Sequence, residues 1–486
     1  MNQLFKIFLT LFMQLLMVAS CFAQHPEAKR ATHWYFGNGA GLDFSSGSPV
    51  AVTNGQMESG EACASISDTN GNLLFYTDGD TIWDKNHNIL PNGTGIMGCE
   101  SSSQGALIIP QPNNPNLFYV FTTDCEIFFG SGLRYSIIDL NLNGGNGDVL
   151  TSQKNIFLTD SVIECLTAFQ QCDTIWLMAH KGNNNDFLFY KITNLGLITT
   201  PIINSIGSIP YYVSSAKFSP SGRKIVLVSG SSAIPFIELY DFNNGLLSNL
   251  ISLNPFGNEY GVEFSPNEDM LFVSANGNMI FQFDISSNNQ TIINSSKTLI
   301  FDSFDNSSFF GIQNAINGNI YISSVGIPAI SEVNSPNNYG IASSFNFLNI
   351  PLSGRFSALS LPNYCTNYFD SLYNPNLCII DTVTQNIFLN PLIIPNIFTP
   401  NNDGINDVFS IKLRGYENIA WKIYNRWGSE LKMGELKIEN DGFINLWDGR
   451  TNSGTKVPDG TYYYIINLTK NGGKMETKKG FITLLY

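Results

Sequence analysis

The chain has 486 residues, 43% of them hydrophobic and only 13% charged, and 25 Lys+Arg against 39 Asp+Glu leave a formal net charge of −14. Such a length carries roughly two to four domains, or one large repeat fold with an appendage, each able to bury a core of its own. Low charge with abundant Phe, Tyr and Ile argues against a disordered chain, and the acidic balance argues against sequence-independent binding of nucleic acid, which needs clustered Lys and Arg.

The first 24 residues hold one basic residue (Lys6), an apolar stretch from Ile7 to Val18, and small residues before Gln24. This is the order of a secretory signal, with residues 1–23 removed after Ala23. Val18-Ala19-Ser20-Cys21 also resembles a bacterial lipoprotein box, which would leave a lipidated Cys21. The small-x-small site Cys21-Phe22-Ala23 favours ordinary cleavage. Beyond this segment no apolar run approaches the roughly 20 residues of a spanning helix, so the mature chain is expected to have no transmembrane helix.

Export makes disulfides admissible. Seven cysteines remain after cleavage: Cys63, Cys99, Cys125, Cys165, Cys172, Cys365 and Cys378. None forms a C-x-x-C pair, so zinc and redox motifs find little support. The near neighbours Cys165/Cys172 and Cys365/Cys378 are the disulfide candidates, and an odd count leaves at least one thiol free.

From about residue 33 to 364 a phrase recurs: a short apolar strand, a turn, a second strand rich in aromatics, then a third ending near Asp. The clearest copies start at Ala216 and Val262, with hairpin turns Ser-Pro-Ser-Gly (219–222) and Ser-Pro-Asn-Glu-Asp (265–269). Aligning the copies on Ala64, Leu107, Ala168, Lys217, Glu263, Gln313 and Ala358 gives a spacing of 43 to 61 residues. A period near 40–50 with several short strands per unit marks the blades of a β-propeller. One blade cannot bury both of its faces, but radially packed blades bury each other. The reading is an all-β propeller of about seven blades over residues 24–364. The copy at 356–361 serves as the last innermost strand, and the segment 32–44 supplies the outer strands missing from that blade. Six or eight blades are the alternative counts, should the 61-residue interval hide another unit. The Ser-Pro-x-Gly blades resemble the WD-like and lactonase-like propellers of secreted bacterial proteins.

Residues 365–394 read as an Asn-rich linker, and composition shifts beyond it. Residues 24–384 carry 12 Lys+Arg and 29 Asp+Glu, net −17, whereas residues 385–486 carry 12 and 10, net +2. Alternating strands, with turns at Asn402-Asp-Gly, Asn452-Ser-Gly and Pro458-Asp-Gly, predict a small antiparallel, immunoglobulin-like β-sandwich over 395–486. Its motifs are Asn-Ile-Phe-Thr-Pro-Asn-Asn-Asp-Gly-Ile-Asn-Asp-Val-Phe (396–409), Ile-Tyr-Asn-Arg-Trp-Gly (423–428), Leu-Trp-Asp-Gly (446–449), Val-Pro-Asp-Gly-Thr-Tyr-Tyr-Tyr (457–464) and Lys-Gly-Phe-Ile-Thr-Leu (479–484). In this order they closely resemble the gliding-motility-associated C-terminal domain, the type B sorting domain of type IX secretion in Bacteroidetes. The resemblance covers about 90 residues. Its signature positions here are Phe398, Pro400, Asn401, Asp403, Gly404, Asn406, Asp407, Asn425, Arg426, Trp427, Gly428, Trp447, Asp448, Gly449, Pro458, Asp459, Gly460, Tyr462, Lys479 and Gly480. The resemblance implies export through the type IX translocon, with that translocon and its outer-membrane attachment partners as partners, and an end point outside the cell or on its surface.

Site chemistry is sparse. Asn401-Asn-Asp-Gly-Ile-Asn-Asp resembles half of a calcium loop but lacks the closing bidentate Glu, so a self-capping turn is the better reading. Glu58, Glu61, Asp78, Asp80 and Asp84 crowd one blade. Asp78-Gly-Asp80 reads as a hairpin turn, and the sharper reading puts Glu61 and Asp78 near the channel mouth as ligands of calcium or sugar, with Glu58 and Asp80 beside them. No metal site and no cofactor are otherwise expected. His33, His87 and His180 lie in no metal motif, and no G-x-S-x-G elbow or phosphate loop is present. Trp83, Trp176 and Tyr211-Tyr212 could form a sugar-stacking platform, though blade-packing aromatics are commoner. The function expected is a secreted or cell-surface propeller that binds or scaffolds an extracellular glycan or protein, more readily than an enzyme. The alternative is an extracellular hydrolase or lyase acting on polysaccharide or a lactone in the channel.

Overall fold

Seven antiparallel sheets follow one another between His33 and Pro351 in the computed structural model, and two more lie beyond Leu392. The structure describes residues 25–125, 132–182, 184–210, 215–230, 235–303, 308–370, 392–395, 397–401, 407–413, 416–438, 442–470 and 475–486. Residues 1–23, expected above to be a secretory signal, with Cys21, and also Tyr211, Tyr212, Cys378, Asp403, Gly404 and Asn406, lie outside them. The chain divides into two compact units, residues 1–378 and 379–486.

Each of the seven sheets is a blade, and blades 2 to 7 are entered through their innermost strands. Blade 1 begins with His33–Phe36, blade 2 with Ala64–Ser67, blade 3 with Ala106–Gln111, blade 4 with Thr167–Gln171, blade 5 with Ser215–Phe218, blade 6 with Glu259–Phe264 and blade 7 with Phe309–Asn314. Blades 4 to 7 have four strands in sequence order, blades 1 and 2 have three, and blade 3 has five. Inner and second strands are mostly buried, Met270–Ala275 along its whole length, whereas an outer strand such as Gly196–Ser205 is largely wet. That gradient explains the sequence: strands covered on both faces by neighbouring blades are continuous apolar runs, and alternation appears only at the rim. The Ser-Pro-Ser-Gly turn closes the first hairpin of blade 5, with Gly222 at φ +69° and its missing Cβ leaving room for the Phe169 ring of blade 4.

The ring closes through its two chain ends, as expected: Asn38 forms an antiparallel bridge with Phe356, its N–H donating to Phe356 O at 2.9 Å. The N-terminal segment supplies three strands outside that contact, with Ala40–Asp43 and Val50–Val52 following His33–Phe36. Trp34 and Phe44 of blade 1 pack edge-on against Tyr321 of blade 7 at ring-centroid distances of 5.8 and 5.5 Å. Closure therefore joins the two ends of the repeat, with residues 356–361 lying inside His33–Phe36, and aromatic packing between the first and last blades reinforces it. The long interval after Leu107 holds no extra blade. The third strand of blade 3, Leu133–Asp139, carries two short partners, Asp148–Val149 and Ile156–Thr159, which absorb the added length.

The copy at 356–361 pairs only through the Phe356 bridge, yet it holds the innermost position expected of it, between Gly60 and Gly311 of the neighbouring blades. Residues 356–370 run parallel to the inner strands of blades 2 to 7 and then cross the centre of the ring, bonding to all seven blades or the loops leading into them. Leu359 N–H donates to Gly60 O and Leu359 O accepts from Gly311 N–H, at 2.9 and 2.8 Å. The Ser360 hydroxyl donates to Ser103 O and lies 3.4 Å from the Tyr260 hydroxyl. Tyr364 reaches the His33 carbonyl, Asn363 the Leu166 carbonyl, and Thr366 the Ser219 carbonyl. Tyr364, Cys365, Thr366, Asn367 and Tyr368 are all buried. The 3₁₀ turn Pro26–Ala31 packs on the 3₁₀ turn Thr366–Phe369, closing the end of the ring where the inner strands finish. The linker expected from residue 365 correspondingly starts later, since 365–370 belong to the propeller interior.

Both disulfide candidates are corrected. Cys165 and Cys365 are free, buried thiols, as is Cys63, and the disulfide among described residues is Cys99–Cys125, with Cα atoms 5.4 Å apart. Cys165 and Cys172 flank the extended strand Thr167–Gln171, which at ~3.3 Å per residue holds them far outside disulfide range. Cys172, at the hairpin turn, is disulfide-bonded to a residue outside the described set. Cys365 is held at the ring centre by its parallel bridge to Ala168.

The second unit has a three-stranded and a five-stranded sheet. The latter comprises Ile397–Phe398, Tyr416–Tyr424, Glu430–Lys437, Gly460–Lys470 and Met475–Leu484. Its pairings are antiparallel except Ile397–Phe398, which runs parallel to Met475–Leu484. Its core gathers Phe398, Phe409, Trp447, Tyr462, Ile482 and Leu484.

Candidate functional site

The alignment anchors of three successive blades meet inside the ring. Lys217, Glu263 and Gln313 occupy equivalent positions on the inner strands of blades 5, 6 and 7, and all are buried. The Lys217 ammonium donates to Gln313 Oε1 at 2.6 Å and lies 3.5 Å from Glu263 Oε2. Glu263 also accepts the backbone N–H groups of Phe264 and Asn314. Burial pulls the lysine below its usual value and pushes the carboxyl above its own, and their mutual attraction opposes both shifts. The anchors of blades 2 to 4 are Ala64, Leu107 and Ala168, which make an apolar wall where the central segment packs.

At the end of the ring where the inner strands begin, a polar cluster forms around Glu61. Its Oε1 accepts from the Tyr260 hydroxyl at 2.8 Å and its Oε2 from the Ser101 hydroxyl at 3.1 Å. Tyr260 begins blade 6 and packs edge-on against Phe310, while Ser101 belongs to the loop that Cys99–Cys125 anchors. Glu164, at the entrance to blade 4, accepts the Ser103 N–H. Burial raises the Glu61 carboxyl, partly offset by its two hydroxyl donors, and raises the Tyr260 phenol further. The result is a cluster of two carboxylates and several hydroxyls held in place by hydrogen bonds between blades.

Of the four expected ligands, Glu61 alone enters this cluster. Asp78 is buried, and its Oδ1 accepts the backbone N–H groups of Asp80 and Thr81 at 2.9 and 2.7 Å, which caps its own hairpin. Glu58 and Asp80 are exposed. Among the described residues no three His, Cys, Asp or Glu gather closely enough to hold a metal ion. Trp83 stacks on Tyr76, and Trp176 packs against Phe242 beneath Lys191, so both are packing aromatics. His180 is fully buried with Nδ1 on the Lys181 carbonyl, while His33 contacts Ser67 and Asp43 and His87 contacts Tyr76 and Asn54. Tyr260, Ser101, Ser360 and Glu164 escaped the sequence reading because they are brought together only by ring closure. A polar residue at an otherwise apolar anchor position was the available signal for Lys217, Glu263 and Gln313.

In the second unit the signature residues build turns and core. Asn425 Oδ1 accepts the N–H groups of Trp427 and Ser429, and Asp448 Oδ1 accepts that of Arg450. Pro458 O accepts from the Tyr462 hydroxyl, Trp447 Nε1 donates to Arg450 O, and the Tyr464 ring covers Gly480.

A propeller followed by a small β-sandwich defines a two-domain all-β protein. Residues 392–484 match the family model of the CHU_C Type IX secretion signal domain. This C-terminal unit is thus a type IX secretion signal domain, which marks the protein for export to the cell surface or beyond. No curated protein matches the chain. Among solved structures it is similar to the extracellular domain of a putative hybrid two-component system from B. thetaiotaomicron, at 13% identity and TM-score 0.37 over 88% of this chain and 56% of that one. It is also similar to a putative 6-phosphogluconolactonase from Bacteroides fragilis, at 10% identity and TM-score 0.43 over 68% and 96%. A third is PorZ, a surface component of the type IX secretion system of Porphyromonas gingivalis, at 14% identity and TM-score 0.35 over 93% and 59%. The chain spans only 56% of the length of the first of these. At such scores these likenesses carry no argument, and the architecture rests on the strand pairing above. No helix among the described residues is long and apolar enough to cross a membrane.

Proposed function

We propose that the protein is an extracellular binding module: a propeller, delivered by its C-terminal signal domain, that holds its ligand at the end of the ring bearing Glu61 and Tyr260. The observation that carries this reading is the filled centre. Residues 356–370 occupy the axis and bond to every blade, so an open channel for a polysaccharide or lactone substrate is not available, and recognition falls to a rim. Support for the rim comes from the Glu61 carboxylate, fixed by Tyr260 and Ser101, and from the net −17 of residues 24–384, which favours neutral, cationic or metal-bridged ligands over anionic ones. In this reading residues 1–23 are the secretory signal and the domains run 24–364 and 395–486, with 365–370 added to the propeller. The type IX translocon is the export partner, and an extracellular glycan or protein is the ligand.

A glycan array probed with the full mature chain and with its Glu61→Gln/Tyr260→Phe variant tests the site. Retention of a glycan by the parent and its loss by the variant is expected, whereas equal binding by both places the ligand elsewhere. Deleting residues 385–486 tests export: the truncated propeller should stay inside the cell, and its normal appearance outside refutes the sorting role.

A further inference from the structure

We infer that the export machinery reads the signal domain through one aromatic and cationic patch on its five-stranded sheet, formed by Tyr424, Trp427, Tyr463 and Phe481 with Arg426 and Lys479. This rests on the export role proposed above and assigns the surface that performs it. Tyr424, Tyr463 and Phe481 are direct cross-strand partners on three neighbouring strands, so their side chains share one face in an unbroken row. Tyr463 and Phe481 are 49% and 55% exposed, and Trp427, in the turn that follows Tyr424, is 80% exposed. The Arg426 guanidinium lies 5.5 Å from the Trp427 ring centre. Lys479 pairs with Ile465 in the adjoining row, while Lys422 in that row is neutralised by Glu430 at 2.9 Å.

Two arguments make this a docking surface. Large exposed aromatics set beside arginine are the composition of interface centres, and clustered exposed apolar groups cost solubility without serving the fold. The fold also has no use for these side chains. Most described signature residues cap a turn, adopt a positive φ or fill the core, as Asn425, Gly449, Trp447 and Tyr462 do. Arg426, Trp427 and Lys479 are exposed signature residues with no such task. Their charge selects the occupant: a protein surface of the type IX apparatus that offers an apolar slot rimmed by carboxylates. A hollow of about 470 Å³ at the other end of the same sheet, lined by Asn418, Leu436, Asn467, Thr469 and Met475 among others, is of mixed polarity and lacks the aromatic row.

The test uses the full chain in the producing bacterium, comparing protein in the medium and on the surface with protein retained inside. Trp427→Ala/Phe481→Ser should lower the exported fraction by about tenfold, the effect of losing an interface hot spot, with no change in the melting transition of the purified chain. Arg426→Glu/Lys479→Glu should do the same, and Met475→Ala, in the distant hollow, should export normally. Normal export of either patch variant overturns the inference. If the aromatic variant melts lower, the charge reversal, which removes no packed side chain, decides. Deletion of residues 385–486 runs in parallel. If the deletion blocks export while patch variants pass, only this inference fails. If the deleted chain itself is exported, the sorting role fails with it.

Discussion

The Lys217 ammonium lies 2.6 Å from Gln313 Oε1 and 3.5 Å from Glu263 Oε2, joining three consecutive blades through side chains at one repeat position. Removing one partner leaves a charge buried alone, whereas removing both does not. Lys217→Met should therefore destabilise the propeller by about 3–5 kcal/mol, and Lys217→Met/Glu263→Leu by clearly less. Chemical denaturation of the two variants checks the order, and a double variant weaker than the single one refutes it.

His180 gives the fold an acid limit. Burial drops its imidazole from 6.5 to about 4, with Nδ1 on the Lys181 carbonyl and Nε2 without a hydrogen-bond partner. Between those values the unfolded chain takes up a proton that the native chain refuses, so stability falls as pH drops from about 6.5 to about 4. The loss is at most about 3 kcal/mol. His180→Gln should flatten the melting profile across that window, which a series of melts from pH 7 to roughly 4 would reveal.

The Cys99–Cys125 bond closes a separation of 26 residues. Replacing both cysteines by Ser should cost about 3 kcal/mol and loosen the loop that presents Ser101 to Glu61. Cys63, Cys165 and Cys365 are buried, and burial raises each thiol, that of Cys365 to about 12. They should resist iodoacetamide in the native protein and react once it unfolds. Rapid native alkylation, read by mass spectrometry, would contradict this packing.

Gly449 sits at φ +76°, and a Cβ there would lie 2.8 Å from Leu484 Cδ1. Gly449→Ala should destabilise the signal domain by about 1–2 kcal/mol, and a bulkier Gly449→Val by more. Calorimetry of the full chain should show a lowered transition for this domain with the propeller transition unmoved.

Much of the fold was legible because blade packing imposes a period. Ala64, Leu107, Ala168, Lys217, Glu263 and Gln313 were aligned from sequence and all fall on innermost strands. Ala358 lies in the innermost segment of the closing blade, which is joined to the N-terminal strands by the Asn38–Phe356 bridge. The disulfides failed because proximity in sequence was taken for proximity in space, which an intervening extended strand forbids. The site was least legible. Glu61 stood out as a carboxylate, but its partners Tyr260, Ser101 and Ser360 lie 199, 40 and 299 residues away.

By itself the sequence determined the propeller repeat, the all-β second domain and its export signature, since strand periodicity and turn chemistry are local properties. Tertiary structure decided what fills the axis of the ring and which polar groups meet at its rim. These depend on which distant segments share the centre of a closed ring, and no local preference of the chain encodes that choice.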